Sequence, residues 1–237
     1  MRPEFRAWPK TPRLFRDMVI TEKIDGTNAC VIVQAGDPAE GDPKWAAGVT
    51  VGDQFFHVGA QSRNRVITPE KDNAGFARWV QVNAQALAEA LGPGYHFGEW
   101  WGSGIQRAYG LTHGEKRFSL FNVHRYRDLV LDEDGVEKIP GVNVVPTLYI
   151  GPFTTPIVRQ TLLDLMQAGS AAAPGYDNPE GLVVYHSASS QVYKVLIEND
   201  TLPKSQVVQL DEARRARAQR KMAADLSIGR AYLGDVA

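Results

Sequence analysis

The stretch Thr21-Glu-Lys-Ile-Asp-Gly-Thr-Asn28, followed at once by the apolar run Ala29-Cys-Val-Ile-Val33, decides how this chain is read. It sets Lys23 at a boundary between strand and loop, two residues before an Asp-Gly turn. A lysine amine is a usable nucleophile only when burial or nearby cations lower its pKa. Its attack on phosphorus then gives a covalent intermediate that divides one hard transfer into two easier ones. By itself, Lys23-Ile-Asp-Gly26 reads equally well as an ordinary turn, so its meaning depends on what accompanies it along the chain.

Outward from that stretch, Val31 to Val33 and Val49 to Val58 are β-branched or aromatic and read as strands, separated by the loop around Gly36 to Pro43. Apolar residues Phe76, Trp79, Val80, Leu87 and Leu91 recur at helical spacing between Asn73 and Leu91, and Gly92-Pro93-Gly94 ends the run. Tyr95 to Trp101, Phe118 to Tyr126 and Val142 to Ile150 read as strands, and Thr155 to Gln167 as a second helix. Gly169 to Pro174 reads as a small, flexible loop. Gly181 to Tyr185 and Gln191 to Ile197 form a final antiparallel pair, before a helical tail from Leu202. The pattern is α+β, with mostly antiparallel sheets flanked by helices.

A chain of 237 residues with 43% hydrophobic content buries a full core and fits one compact domain with a small appendage, expected at 1–200 and 201–237. No apolar run approaches membrane-spanning length, and the start Met1-Arg-Pro-Glu-Phe-Arg6 lacks the apolar core of a signal peptide, so a cytoplasmic protein is expected. The single cysteine, Cys30, excludes an internal disulfide and a cysteine zinc cluster. A net charge of -1 argues against a strongly basic, non-specific nucleic-acid binder. Arg214, Arg215, Arg217, Arg220 and Lys221 nevertheless crowd one helix-forming segment, which reads as a phosphate-binding face or as a solvated one.

Further segments carry chemistry. Phe97-Gly-Glu-Trp-Trp-Gly-Ser-Gly-Ile-Gln-Arg-Ala-Tyr109 frames Glu99 with glycines and aromatics at the end of a strand; glycines let a backbone approach closely, and a buried structural glutamate with Trp packing is the plainer reading. Phe118-Ser-Leu-Phe-Asn-Val123 offers Phe121, an aromatic that in a strand is ordinarily core. Glu180-Gly-Leu-Val-Val184 combines a carboxylate with an apolar strand, and an Asn-Pro-Glu-Gly turn leading into that strand is its plainer reading. Tyr193-Lys-Val-Leu196 supplies Lys194, and Gln61-Ser-Arg-Asn-Arg65 supplies Arg63, with Arg65 behind it, a residue type suited to bidentate phosphate contact.

These segments, in this order, resemble the motifs of the covalent nucleotidyltransferase superfamily of ATP-dependent DNA ligases, RNA ligases and mRNA capping enzymes. The string Glu22 to Asn28 is most similar to the nick-sealing RNA ligases of bacteriophages, where histidine often stands in place of Asp25. The resemblance runs from about Thr21 to Ile197 and implies an adenylyltransferase (ATP-grasp-like ligase) domain with a short helical C-terminal tail. It implies that Lys23 attacks ATP, and that Glu22, Ile24, Asp25, Gly26, Asn28 and Arg63 line the nucleotide or the RNA terminus. It further implies that Glu99 binds the ribose hydroxyls, that Phe121 and Val183 cover opposite adenine faces, and that Lys194 contacts the α-phosphate. Glu180, with Asn28, would hold Mg²⁺ or Mn²⁺.

The implied partners are RNA ends or a nicked duplex, with a further protein for end joining conceivable. A DNA or mixed-specificity nick ligase, and an idle nucleotide- or RNA-binding relative, are the alternatives. The chain departs from the pattern at Leu196, where the family usually has a second lysine; Lys204 is a candidate substitute. The residues after Ile197 are too few and too helical for the OB fold that follows in DNA ligases and capping enzymes, and resemble a pared-down helical domain whose arginines meet RNA.

Overall fold

A computed structural model of the chain describes residues 3–198; the expected boundary at 200, Lys204 and the cationic tail lie outside the described residues. The described chain forms two compact units, one of residues 3–21, 147–167 and 181–198, the other of Glu22–Pro146 and Ala168–Glu180. β1 (Asp17–Lys23) begins in the first unit and ends in the second.

The second unit is built on β2 (Thr27–Ala35), β3 (Ala47–Val51), β4 (Gln54–Ser62), β5 (Val66–Ile67), α1 (Phe76–Leu91), β6 (Gly94–Gly102), β7 (Lys116–Leu120), α2 (Val123–Val130) and β8 (Val142–Val144). Its sheet has the order β3-β4-β2-β6-β7-β8, with β5 beside β4. Every pairing given is antiparallel except that of β7 with β8. Strand alternation sorts the residues to two faces. Ala29, Val31 and Val33 of β2, opposite Ser62, Ala60 and Val58 of β4 and Gly98, His96 and Gly94 of β6, share the inner face. The apolar members of that face pack with Phe76, Val80, Ala84, Leu87 and Leu91 of α1. Asn28, Cys30 and Ile32 therefore belong to the outer face, with Glu99, Phe97 and Tyr95 opposite them.

α1 begins where the carboxylate of Asp72 accepts from the amides of Ala77 (2.8 Å) and Arg78 (3.1 Å), two of the donors that a helix start leaves without partners. Gly92, with φ at 66°, ends it.

In the first unit, β9 (Thr147–Pro152), α3 (Thr155–Ala168), β10 (Gly181–His186) and β11 (Gln191–Leu196) join β1 in the sheet β11-β10-β1-β9. Met18, Ile20, Leu182 and Val184 pack with Leu162, Leu165 and Met166 of α3. The β1–β9 register slips between Ile20 and Thr21, an irregularity that re-aims the chain just before Lys23.

The α+β pattern with mostly antiparallel sheets holds, with three α-helices among the described residues. Three expected strands differ. Val49 to Val58 is a hairpin, because Gly52 (φ 58°) opens a two-residue turn between the paired Val51 and Gln54. Phe118 to Tyr126 leaves the sheet after Leu120: Asn122 caps α2 by accepting from the Arg125 amide, and Tyr126 and Val130 are its buried stripe. Val142 to Ile150 is broken at Pro146, with β8 paired to β7 and β9 to β1. Among the described residues no helix is long and apolar enough to cross a membrane.

Asp72→Ala is expected to lower stability by about 1 kcal/mol through loss of the cap on α1, as measured by the urea midpoint at unchanged slope; no shift in that midpoint would show that the cap is dispensable.

Candidate active site

Between the end of β1 at Lys23 and the start of β2 at Thr27 the chain makes a three-residue turn whose every member is held. The Ile24 side chain is buried in a cluster with Trp101, Tyr109, Val145 and Ala173. The Asp25 amide donates to the Tyr109 hydroxyl at 2.8 Å, and its carboxylate accepts from Arg107 Nε at 3.0 Å. At Gly26 any Cβ would stand 2.5 Å from the Trp100 carbonyl oxygen and 2.8 Å from Trp101 Cβ, so only glycine lets the turn lie against β6. Its amide donates to Glu99 Oε1 at 3.2 Å.

Lys23 Nζ lies 2.7 Å from Glu180 Oε2, an ion pair partly shielded from water at both ends. Glu180 is brought there by the segment Ala168–Glu180. Glu22, only 1% exposed, accepts the amides of Ala171 (2.7 Å) and Ala172 (2.9 Å) on Oε2, while its Oε1 is buried with no hydrogen-bond partner among the described residues. The Tyr176 ring lies 4.8 Å from that of Tyr109, and Arg107 Nη1 donates to the Asn178 carbonyl at 3.2 Å. The stretch expected as a flexible loop, Gly169 to Pro174, is a loop, but Ser170 and Ala173 are buried and two of its amides serve a carboxylate.

Burial drives the electrostatics. It pushes the Glu99 carboxyl up to about 7, against the Lys23 charge and the Gly26 amide, and Glu180 and Asp25 push the same way as burial. Burial also raises Glu22, against the Ser170 hydroxyl and the two loop amides. The Tyr109 phenol is raised chiefly by burial, with Glu22, Glu180 and Asp25 adding to it, and so remains a neutral hydroxyl beside Asp25.

The second unit thus gathers Glu22, Lys23, Ile24, Asp25, Gly26, Glu99 and Glu180. Asn28, Glu99 and Ser119 form one row across β2, β6 and β7 by register. Phe121 is 40% exposed just beyond β7, its amide donating to the Phe97 carbonyl at 3.1 Å. Arg63 is exposed immediately after Ser62, the partner of Ala29. Arg65 braces its own turn, donating to the Lys71 carbonyl at 3.3 Å.

Val183 and Lys194 belong to the first unit, where they pair directly across β10 and β11 and share a face. Leu196 pairs with Gly181, where any Cβ would collide with the Val195 carbonyl; the glycine after Glu180 is a requirement of that pairing. Among the described residues no three or more His, Cys, Asp or Glu side chains are grouped to hold a metal ion. A lone carboxylate such as Glu180 nonetheless fits Mg²⁺, which retains most of its waters.

Residues 16–196 match the sequence profile of the RNA ligase family. The chain belongs to the RNA ligase family. No curated protein sequence matches it. Solved structures of Naegleria gruberi RNA ligase are similar to this family member: a mutant with AMP and Mn at 18% identity (76% of this chain, 49% of that one, TM-score 0.48), and a mutant with ATP and Mn at 17% identity (84% of this chain, 52% of that one, TM-score 0.46). The chain spans about half the length of these structures.

Sequence reasoning on this RNA ligase family chain assigned no role to Arg107 or Tyr109, although both stand in Gly-Ile-Gln-Arg-Ala-Tyr109 shortly after Glu99. The signal that could have marked them is the acidic side chain of Asp25 beside the candidate nucleophile, which calls for a basic partner elsewhere in the chain.

Followed by carboxyl-carbon NMR, Glu99 is expected to titrate near pH 7, with Glu180→Gln lowering the midpoint and Lys23→Ala raising it. Since the folded-state value lies above the ordinary 4.5, the stability this group contributes is present below about pH 4.5 and is lost as pH rises through about 7. A wild-type midpoint at the ordinary value would contradict the burial just described.

Proposed function

We propose that this chain is an ATP-dependent RNA ligase that carries AMP on Lys23 and uses it to join a 5′-phosphate end to a 3′-hydroxyl. The observation that carries the reading is the 2.7 Å pair between Lys23 and Glu180, set beside Glu99 on a turn whose backbone is held at each residue. Three of the residues implied by the sequence motifs, distant along the chain, share one small volume, and family membership makes RNA ends the favoured substrate.

In the pair with Glu180 the lysine is an ammonium and cannot attack. Catalysis requires the pair to open and the ammonium to lose a proton. Lys23 Nζ then forms a bond to the α-phosphorus of ATP as the bond to the bridging oxygen breaks, and pyrophosphate leaves with the electron pair. In the second step an oxygen of the RNA 5′-phosphate attacks the same phosphorus, the P–N bond breaks and Lys23 is restored. In the third the 3′-hydroxyl attacks the activated 5′-phosphate, loses its proton and displaces AMP.

Glu99 hydrogen-bonds the ribose hydroxyls, and Phe121 stacks on the adenine. The bare, buried Oε1 of Glu22 is an acceptor suited to the adenine amine. Glu180 and Asn28 would hold Mg²⁺ or Mn²⁺, which supplies positive charge against the phosphate oxygens. The α-phosphate role of Lys194, the adenine-covering role of Val183 and the terminus-binding role of Arg63 are proposed from the motifs alone.

Arg107 acts as a positioning residue, joining the turn at Asp25 to the segment that ends in Glu180. Arg107→Met is expected to slow self-adenylylation by roughly 10- to 100-fold with little change in ATP affinity, and Arg107→Lys to recover part of the rate. An unchanged rate in the methionine variant would remove this role.

The decisive experiment incubates the protein with ATP labelled at the α-phosphate. Wild type is expected to become covalently labelled and Lys23→Ala to remain unlabelled, while Lys194→Ala falls by about 100-fold. A panel of nicked and single-stranded RNA and DNA then resolves adenylylated from sealed product. Label retained in Lys23→Ala would overturn the assignment.

A further inference from the structure

The outer face of the seven-stranded sheet carries an aromatic row that the chemistry above leaves unused. Tyr95 and Phe97 are 55% and 43% exposed, with ring centroids 6.4 Å apart and planes within 18° of parallel. Register places them opposite Ile32 and Cys30, on the face that carries Asn28 and Glu99. Phe97 therefore stands one residue pair along β6 from Glu99, and the exposed Phe121 follows on the neighbouring strand, hydrogen-bonded to the Phe97 carbonyl.

Single exposed aromatics are common on soluble proteins. Here they are contiguous, nearly parallel and on the face that carries Glu99. Exposed aromatic rings beside the candidate site match unpaired nucleobases, whereas bases within a duplex are already stacked on each other.

We infer that Tyr95 and Phe97 form a stacking platform for unpaired bases of the RNA strand whose end enters the site. The inference rests on the ligase reading and narrows its substrate to strands that are single-stranded near the end being joined.

The test measures binding of a fluorescent, 5′-phosphorylated single-stranded RNA by anisotropy without ATP, alongside self-adenylylation with ATP in the absence of RNA. Tyr95→Ala and Phe97→Ala are expected to weaken RNA binding by roughly 5- to 100-fold each. Tyr95→Phe should retain affinity, Phe97→Leu should lose it despite similar bulk, and self-adenylylation should be unchanged throughout. A strand of the same length with abasic sites should bind wild type weakly and show no further loss in the variants, and a blunt RNA duplex should not distinguish wild type from variant. Single-strand affinity within twofold of wild type in both alanine variants would refute the platform. So would equal losses on the abasic strand, or a change of oligomeric state in place of a change in RNA affinity. If wild type binds RNA through these rings but never becomes adenylylated, the ligase reading fails and the platform stands; adenylylation with indifferent rings gives the reverse.

Discussion

A carboxylate almost wholly removed from water, next to the lysine on which the site turns, is the constraint that the rest of this arrangement answers to. Glu22 cannot be buried without donors, and it finds two backbone amides 149 and 150 residues further along the chain, with the Ser170 hydroxyl beside them. Once the amides of Ala171 and Ala172 are committed, the segment that follows has little freedom. Tyr176 meets Tyr109, Asn178 receives Arg107, and Glu180 arrives against Lys23. The alanine-rich composition of that segment suits the task, since short side chains let two successive amides reach one oxygen. The Lys23–Glu180 pair is in this sense a consequence of where the charge of its neighbour is buried.

The sheet supplies the second half of the geometry. β2 is central, with β4 on one side and β6 on the other, so its alternate residues divide cleanly between the α1 core and the site face. Glu99 owes its place to that alternation. Trp100, one residue on, is core and packs against Phe76, while Glu99 points the opposite way toward Gly26 and Lys23. The outward Ile32 and Cys30 are buried as well, which is why Ala29 to Val33 reads as an unbroken apolar run.

Much of this was legible from residues alone, and the reasons are physical. α1 shows itself because the spacing from Phe76 to Leu91 is helical and Gly92 stops it. The strands bearing Glu99 and Lys194 show themselves through their aromatic and β-branched content. Phe118 to Tyr126 misleads because alternation continues past the strand end, and only the cap at Asn122 separates strand from helix. The clamp on Glu22 is invisible in the sequence, since backbone amides carry no residue signature and Gly169 to Pro174 looks like any small-residue loop. Arg107 was hidden for a related reason: an arginine shows its partner only when the fold brings Asp25 within 3.0 Å.

Charge is the remaining step. Among the described residues, Glu22, Asp25, Glu99 and Glu180 are gathered with the cations Lys23 and Arg107, an excess of acid in a place proposed to receive a triphosphate. Burial relieves part of the excess, because it favours the neutral acid at Glu22 and at Glu99. When Lys23 becomes a neutral amine, Glu180 loses its counter-charge, and an anion left there would repel both the ligand phosphates and the pyrophosphate leaving from them. Under the proposed reading, a divalent cation at Glu180 would reverse that sign as the lysine gives up its own, so the ion pair and the proposed metal position coincide at one carboxylate.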